Sequence, residues 1–189
     1  MRLLLSLAFL FAICLTTLSA QEFPKIDKSV MDMAYYPAGF AHRMFAKTDE
    51  EKNAKAVARV IYSRPLKNDR VIFGELQKYG EVWRVGANES TEIDFYKNVK
   101  INGKKVKAGR YTLYAIPNKD SWEVIVNSDL DGWGHYAYDA KKNVASITVP
   151  TKKTEKTVEA MGIMFEKAGK GANMLIGWDD TMVSVPIEF

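Results

Sequence analysis

Between Arg64 and Thr91 the chain gathers its densest set of side chains able to recognise another molecule. Arg64-Pro65, Arg70, Phe73-Gly74 and Tyr79-Gly80 lead into the run Val82-Trp83-Arg84-Val85-Gly86-Ala87-Asn88-Glu89-Ser90-Thr91. A guanidinium is a planar fork of donors, an indole offers a flat face with one N–H, and an amide both donates and accepts. Trp83 can stack on a sugar ring while Arg84, Asn88 and Glu89 supply directed hydrogen bonds, supported by Arg64, Arg70 and Thr91. The same residue types also build Arg–Glu and Asn–backbone clamps, whose rupture costs about 3–5 kcal/mol when it strands a buried charge. The segment therefore reads as a ligand site or as a structural clamp.

Other chemistries have thinner support. Glu89, Glu92 and Asp94 are close in sequence, and Glu92 and Asp94 share one face of a strand. Two carboxyls about 5–9 Å apart with divergent pKa values would suit glycoside hydrolysis, so a hydrolase using Glu89 or Asp94 is an alternative. Asn127-Ser128-Asp129-Leu130-Asp131-Gly132 imitates the start of a calcium loop, but the twelfth position holds Tyr138 in place of glutamate. His42 and His135 are isolated from each other and from cysteine, which leaves zinc without ligands. No Gly-x-Ser-x-Gly elbow, Walker loop or dinucleotide fingerprint occurs. No cofactor, metal or catalytic residue is expected. Trp122, Trp133 and Trp178 belong mostly to the core, with Trp133-Gly134-His135-Tyr136, in a glycine-rich loop, the expected exception.

The elements that must position these groups are strands. Val57, Arg59 and Ile61 alternate with Ala58, Val60 and Tyr62 and stop at Ser63-Arg64-Pro65. Val99–Ile101 and Lys104–Val106 flank Asn102-Gly103, which predicts a two-residue hairpin with Val99 facing Val106. Tyr111–Ile116 is apolar on both faces, as a central strand is, and Pro117-Asn118 ends it. Trp122–Val126, Val144–Val149, Val158–Phe165 and Met174–Trp178 continue the series. Val183–Phe189 closes it, Pro186 suggesting an edge. Eight or nine short strands without intervening helices predict an all-β antiparallel sandwich or barrel-like domain. Residues 21–55, with Pro24, Pro37 and Gly39, read as an irregular lead-in packed on that body at 56–189, with one short helix near Ala41–Phe45.

Residues 1–20 read as a signal peptide: Arg2, an apolar run from Leu3 to Leu15 and a small-residue exit at Ser19-Ala20. The run is short for a membrane span. Cleavage after Ala20 would remove Cys14, the only cysteine of the 189 residues, so disulfides play no part in the exported fold. It would also remove Arg2, reducing a net charge of +4 that is already spread along the chain. Without a basic stripe, no nucleic-acid partner is expected. The expected address is the periplasm, cell surface or extracellular space.

Tyr62-Ser63-Arg64-Pro65, Arg70–Gly74, Tyr79-Gly80, Val82-Trp83-Arg84 with Gly86-Ala87-Asn88-Glu89, Ala108–Leu113, Ile116-Pro117, Trp122–Ile125 and Trp178-Asp179 together resemble domain-of-unknown-function family 2911. The resemblance runs from about Asp27 to the C-terminus and implies a secreted bacterial β protein without an assigned activity. Val30 stands where that family often has proline, and Asn143–Ser146 lacks its frequent Asp and Arg. From the residues, the expected function is a non-catalytic module that binds a small ligand, glycan or peptide. The alternatives are the hydrolase and a structural subunit of an envelope protein assembly.

Overall fold

The computed structural model describes residues 22–189, so residues 1–20, read from the sequence as a signal peptide, and Cys14 lie outside the described residues. Nine strands, β1 (Met31–Tyr36), β2 (Ala58–Ser63), β3 (Thr91–Phe95), β4 (Val99–Ile101), β5 (Lys104–Val106), β6 (Gly109–Pro117), β7 (Ser121–Asn127), β8 (Asn143–Ala168) and β9 (Gly171–Glu188), form one sheet. Its spatial order is β1-β2-β3-β6-β7-β8-β9-β4-β5, and neighbouring strands run antiparallel. The sheet does not close; it is sandwich- or barrel-like, as the alternation of short apolar runs predicts.

The curvature resides in β8. Residues 143–150 pair with β7, whereas 151–168 pair with β9, and the register shifts around Val158 let the strand bend. The β1–β2 end of the sheet folds back toward the far half of β8. There the Tyr62 hydroxyl accepts the Ile163 N–H at 3.0 Å and donates to the Ile163 carbonyl at 3.2 Å. The Met161 N–H donates to the Pro65 carbonyl at 3.0 Å. Between the two layers lies one apolar core that includes Val60, Ile93, Leu113, Trp122, Met161, Ile176 and Val183. A buried aromatic side chain removes about 150–250 Å² from water, worth roughly 4–6 kcal/mol at about 25 cal/mol/Å². Trp83, Trp122 and Trp178 are therefore principal anchors.

Several local expectations hold. Asn102 and Gly103 both adopt positive φ, 51° and 72°, and Val99 faces Val106. β6 is internal and buried on both faces from Thr112 to Ala115. A 3-10 turn spans Phe40–Phe45. Other features differ. Val144–Val149 and Val158–Phe165 are one continuous strand, as are Met174–Trp178 and Val183–Glu188. The polar stretch between the first pair is the exposed face of a bending strand, not a turn. β9 is internal: Pro186 lies between the Val183–Thr151 rung to β8 and the Glu188–Lys100 rung to β4, where its missing N–H leaves no rung broken. The lead-in read as irregular contributes β1, an edge strand paired with β2 from Met31–Ser63 to Tyr36–Ala58.

Candidate functional site

The segment from Trp83 to Thr91 is a strand interrupted by a loop. Thr91 faces Leu113 on β6, so an unbroken strand would place Glu89 opposite Ala115. Trp83 stands there instead, exchanging backbone hydrogen bonds with Ala115 at 2.7 and 2.9 Å. Residues 85–90 are looped out between these rungs. The excursion needs unusual backbone: Val85 and Asn88 have φ of 54° and 58°. For β-branched Val85 that left-handed conformation costs about 1–2 kcal/mol. Val85 is nonetheless fully buried, and its carbonyl accepts the Thr91 hydroxyl at 2.7 Å. Gly86 sits at a close approach, where a Cβ would meet the Ser63 carbonyl and Thr91 Oγ1, each at 3.1 Å, and would push on both.

A second loop, 131–136, braces the first. Glu89 bridges Trp133, the Ser90 N–H donates to the Gly132 carbonyl at 3.0 Å, and the Ser90 hydroxyl donates to the Gly134 carbonyl at 2.6 Å. Arg84 packs on Gly134 and lies 5.7 Å from the centroid of the Tyr136 ring. Its Nη1 donates to the Asn88 carbonyl at 2.9 Å, fixing one prong of the fork.

These two loops, the 65–77 connection and Lys28-Ser29 enclose a cleft of about 740 Å³, within the range of small-molecule sites. Its wall includes Leu66, Arg70, Trp83, Arg84, Asn88, His135 and Trp178. Two buried ring nitrogens of this wall, Trp178 Nε1 and His135 Nδ1, have no hydrogen-bond partner among the described residues. Burial, and then the nearby Arg84 charge, lower the His135 pKa, so its imidazole is neutral at pH 7.

The segment's sequence-predicted residues separate into three groups. Arg70, Trp83, Arg84 and Asn88 line the cleft. Trp83 is only 4% exposed, however. It stacks on Trp178 at 6.0 Å and 14°, while Phe73 and Trp122 meet it edge-on at 5.7 and 5.6 Å. Its ring faces core aromatics, which corrects the expectation of a platform for a sugar. Arg70 is exposed and clamps its own loop through the Lys67 and Leu66 carbonyls. Arg64 and Thr91 are structural: Arg64 Nη1 meets Asp32 at 3.0 Å and its Nε donates to the Met161 carbonyl at 2.9 Å, tying β1 and β2 to β8. Glu89 is exposed and lines a smaller neighbouring hollow with Ile26, Asn88 and Trp133.

Neither carboxylate of the hydrolytic alternative lines the cleft. Asp94 accepts from Arg59 Nε and Nη2 at 2.9 and 2.5 Å. Glu92, whose pKa burial raises, lies 3.5 Å from Arg110. In the calcium-like stretch, Asp131 accepts from Arg110 Nη2 at 2.9 and 3.0 Å, and Asp129 pairs with Lys142 at 2.9 Å. These oxygens already meet protein cations, and no cluster of three potential metal ligands occurs among the described residues. Sequence reasoning missed Lys28, Leu66, Leu76, Gln77 and Trp178 as cleft residues. For His135 a signal existed, since it sits in the glycine-rich loop expected to be exposed.

Apart from Lys28-Ser29, the residues that carry this construction, Ser63 to Thr91 and 131 to 178, fall inside the span over which a known family model matches. No curated protein and no solved structure matches the chain. The match to the model described as Protein of unknown function (DUF2911) covers residues 45–187, and the chain belongs to that family.

Proposed function

We propose that the chain is an exported, non-catalytic ligand-binding module acting in the periplasm or at the cell surface, and that the cleft walled by residues 84–88 takes a small ligand of glycan or peptide type. One observation carries the reading: Trp178 Nε1 and His135 Nδ1 are buried on the wall of a roughly 740 Å³ cleft without partners. Buried polar atoms are nearly always hydrogen-bonded, and an unmade bond costs about 1–3 kcal/mol. An indole N–H seeks an acceptor, and two of the three unpartnered buried nitrogens among the described residues belong to this one wall, the third being Trp122 Nε1. The rigid aromatic packing behind Trp83 and Trp178 supports such a site by fixing its back wall.

Export is supported by the pattern of residues 1–20. Mass spectrometry of the protein recovered from its host is expected to show a chain starting at Gln21. The cleft is tested on the same sample by native mass spectrometry. A retained small-molecule mass, or a thermal upshift with a glycan or peptide fraction of the envelope, is expected and should vanish in the cleft-filling variant Ala87→Trp. Unchanged retention in a folded Ala87→Trp protein would refute the assignment.

A further inference from the structure

The charged side chains that line the cleft are of one sign, with Glu81 the nearby carboxylate that acts on His135 from outside the wall. The wall itself carries Lys28, Arg70 and Arg84 and no aspartate or glutamate. Neighbouring hollows differ: one holds Glu50 and Glu51 beside Arg43, another Asp120, Asp179 and Asp180 beside its lysines. The arginines on or next to the strands are also neutralised locally. Arg59, Arg64 and Arg110 each hold a carboxylate within 3.5 Å. Arg84 is half-buried and has none among the described residues, although Glu89 lies only five positions along the same loop.

A half-buried guanidinium without a counter-ion is costly unless something supplies the charge. Only Nη1 of Arg84 is engaged, by the Asn88 carbonyl. The remaining prong and Nε have no protein acceptor among the described residues, and neither do the backbone N–H groups of Gly86, Ala87 and Asn88 on the same wall. The positive φ of Val85 and Asn88 turns this backbone sharply at two places, and turned backbone with free N–H groups is a common element of anion sites. Trp178, 2% exposed and with an unpartnered indole N–H, belongs to the same wall.

We propose that the cleft is an oxyanion site, binding a small solute that carries a carboxylate or phosphate group, with Arg84 as the principal contact and Lys28 and Arg70 at the rim. This rests on the cleft being the ligand site and specifies what it takes. A guanidinium fork matches the planar carboxylate and the phosphate edge equally well, so the group is defined by its charge and acceptor oxygens. His135, its pKa lowered, adds no fourth positive charge at neutral pH and can donate or accept beside the anion.

The test compares probes that differ only in the charged group. Calorimetry on the purified protein would use galactose, galacturonate and galactose 6-phosphate, and alanyl-alanine against its C-terminal amide. At least one charged probe is expected to bind about tenfold or more tightly than its neutral counterpart. The preference should shrink as NaCl rises from about 20 mM to about 0.5 M. Arg84→Gln is expected to weaken that probe by about tenfold or more with the circular dichroism spectrum retained. If Arg84→Gln does not fold, the exposed rim pair Lys28→Gln/Arg70→Gln is expected to weaken it several-fold. The galacturonate and 6-phosphate arms distinguish carboxylate from phosphate, and the dipeptide arm distinguishes a peptide terminus from a sugar acid. Equal binding of neutral and charged probes, abolished by Ala87→Trp, would overturn the anion assignment and leave the cleft standing. Binding of none, or binding that survives Ala87→Trp, would overturn both.

Discussion

Replacing Gly134 by alanine isolates the seating of Arg84, because a matched control exists in the same chain. Gly134 and Gly80 both have left-handed backbone, φ 66° and 76°. Alanine at either position therefore costs about 1–2 kcal/mol from backbone alone. A Cβ at Gly80 would meet nothing within 4 Å, whereas at Gly134 it would lie 2.9 Å from Arg84 Cζ and 3.1 Å from Nη1. Carbon contacts settle at about 3.5–4.0 Å, so the guanidinium must retreat by roughly 0.6–1 Å. The flexible side chain can swing aside, and the expected consequence is loss of its 2.9 Å bond to the Asn88 carbonyl. A bond from a charged donor contributes about 1.5–3 kcal/mol, toward the lower end for a half-exposed side chain. Gly134→Ala is thus expected to lose roughly 2–4 kcal/mol and Gly80→Ala roughly 1–2. At about 2–4 °C per kcal/mol for a chain of this size, thermal melts followed by circular dichroism should separate the variants by about 3–6 °C. Anion affinity should fall in Gly134→Ala alone. Melting temperatures within about 1 °C of each other, below what the 2.9 Å contact implies, would refute the reasoning.

Tyr62→Phe removes the hydroxyl that satisfies both the N–H and the carbonyl of Ile163, and it should cost about 2–4 kcal/mol in chemical denaturation, with an unchanged m-value. His135 is depressed in the folded state, chiefly by burial, so the unfolded chain binds the extra proton first as pH falls. Folding stability associated with His135 is therefore full above its ordinary pKa near 6.5 and declines as pH drops from there toward the lower folded value. His135→Asn should flatten that part of a pH series of melts. Glu92 has the opposite behaviour, since burial raises its pKa and its ionisation opposes folding as pH rises past the ordinary value of 4.5. Glu92→Gln should leave the pH 7 melting temperature unchanged or raised, because Arg110 keeps Asp131. Asp94→Asn, which strips the half-buried Arg59 of its carboxylate, should cost about 1.5–3 kcal/mol.

The strand framework was legible wherever one residue pattern dictates one geometry. Asn102-Gly103 demands positive φ at both positions, and the hairpin forms there. Tyr111–Ile116 is apolar on both faces, and β6 is internal. The length of β8 was not legible, because the exposed half of a bent strand and a polar turn share a composition. Nor was β1, whose Met31 and Met33 face outward on an edge strand and break the alternation a sequence reader seeks. Within the site, Arg84 and Asn88 were recognisable because they sit in one run. Lys28, His135 and Trp178 come from three other parts of the chain, and only the folding of the sheet brings them to the same wall. Trp83 misled for a physical reason: an indole beside an arginine looks like a platform until three other aromatics occupy its surroundings.

The loop at residues 85–90 also admits a decision between clamp and site. A clamp would need no interruption of the ladder: with Trp83 opposite Ala115 and Thr91 opposite Leu113, joining Arg84 directly to Thr91 would place Arg84 opposite Tyr114 and keep the register. The number of residues removed is even, so the inward-facing Trp83 and Thr91 would keep their faces. Excision relieves the left-handed strain at Val85, about 1–2 kcal/mol, and surrenders burial of the Val85 side chain, about 1.5–3 kcal/mol. It also removes the Ser90 bonds to the Gly134 and Gly132 carbonyls and the Thr91 bond to the Val85 carbonyl, about 0.5–1.5 kcal/mol each, and the Arg84 bond to the Asn88 carbonyl, about 1.5–3 kcal/mol. The net loss is of the order of 3–9 kcal/mol, against about 5–15 kcal/mol for an ordinary domain. The excised protein is expected to fold with a cooperative but much lowered melt and an intact strand spectrum, and to bind none of the anionic probes. An excised chain that fails to fold while Arg84→Gln melts normally would show that the loop holds the sheet together. A folded excised chain without ligand affinity would show that the strained backbone exists to carry Arg84 and Asn88 to the cleft.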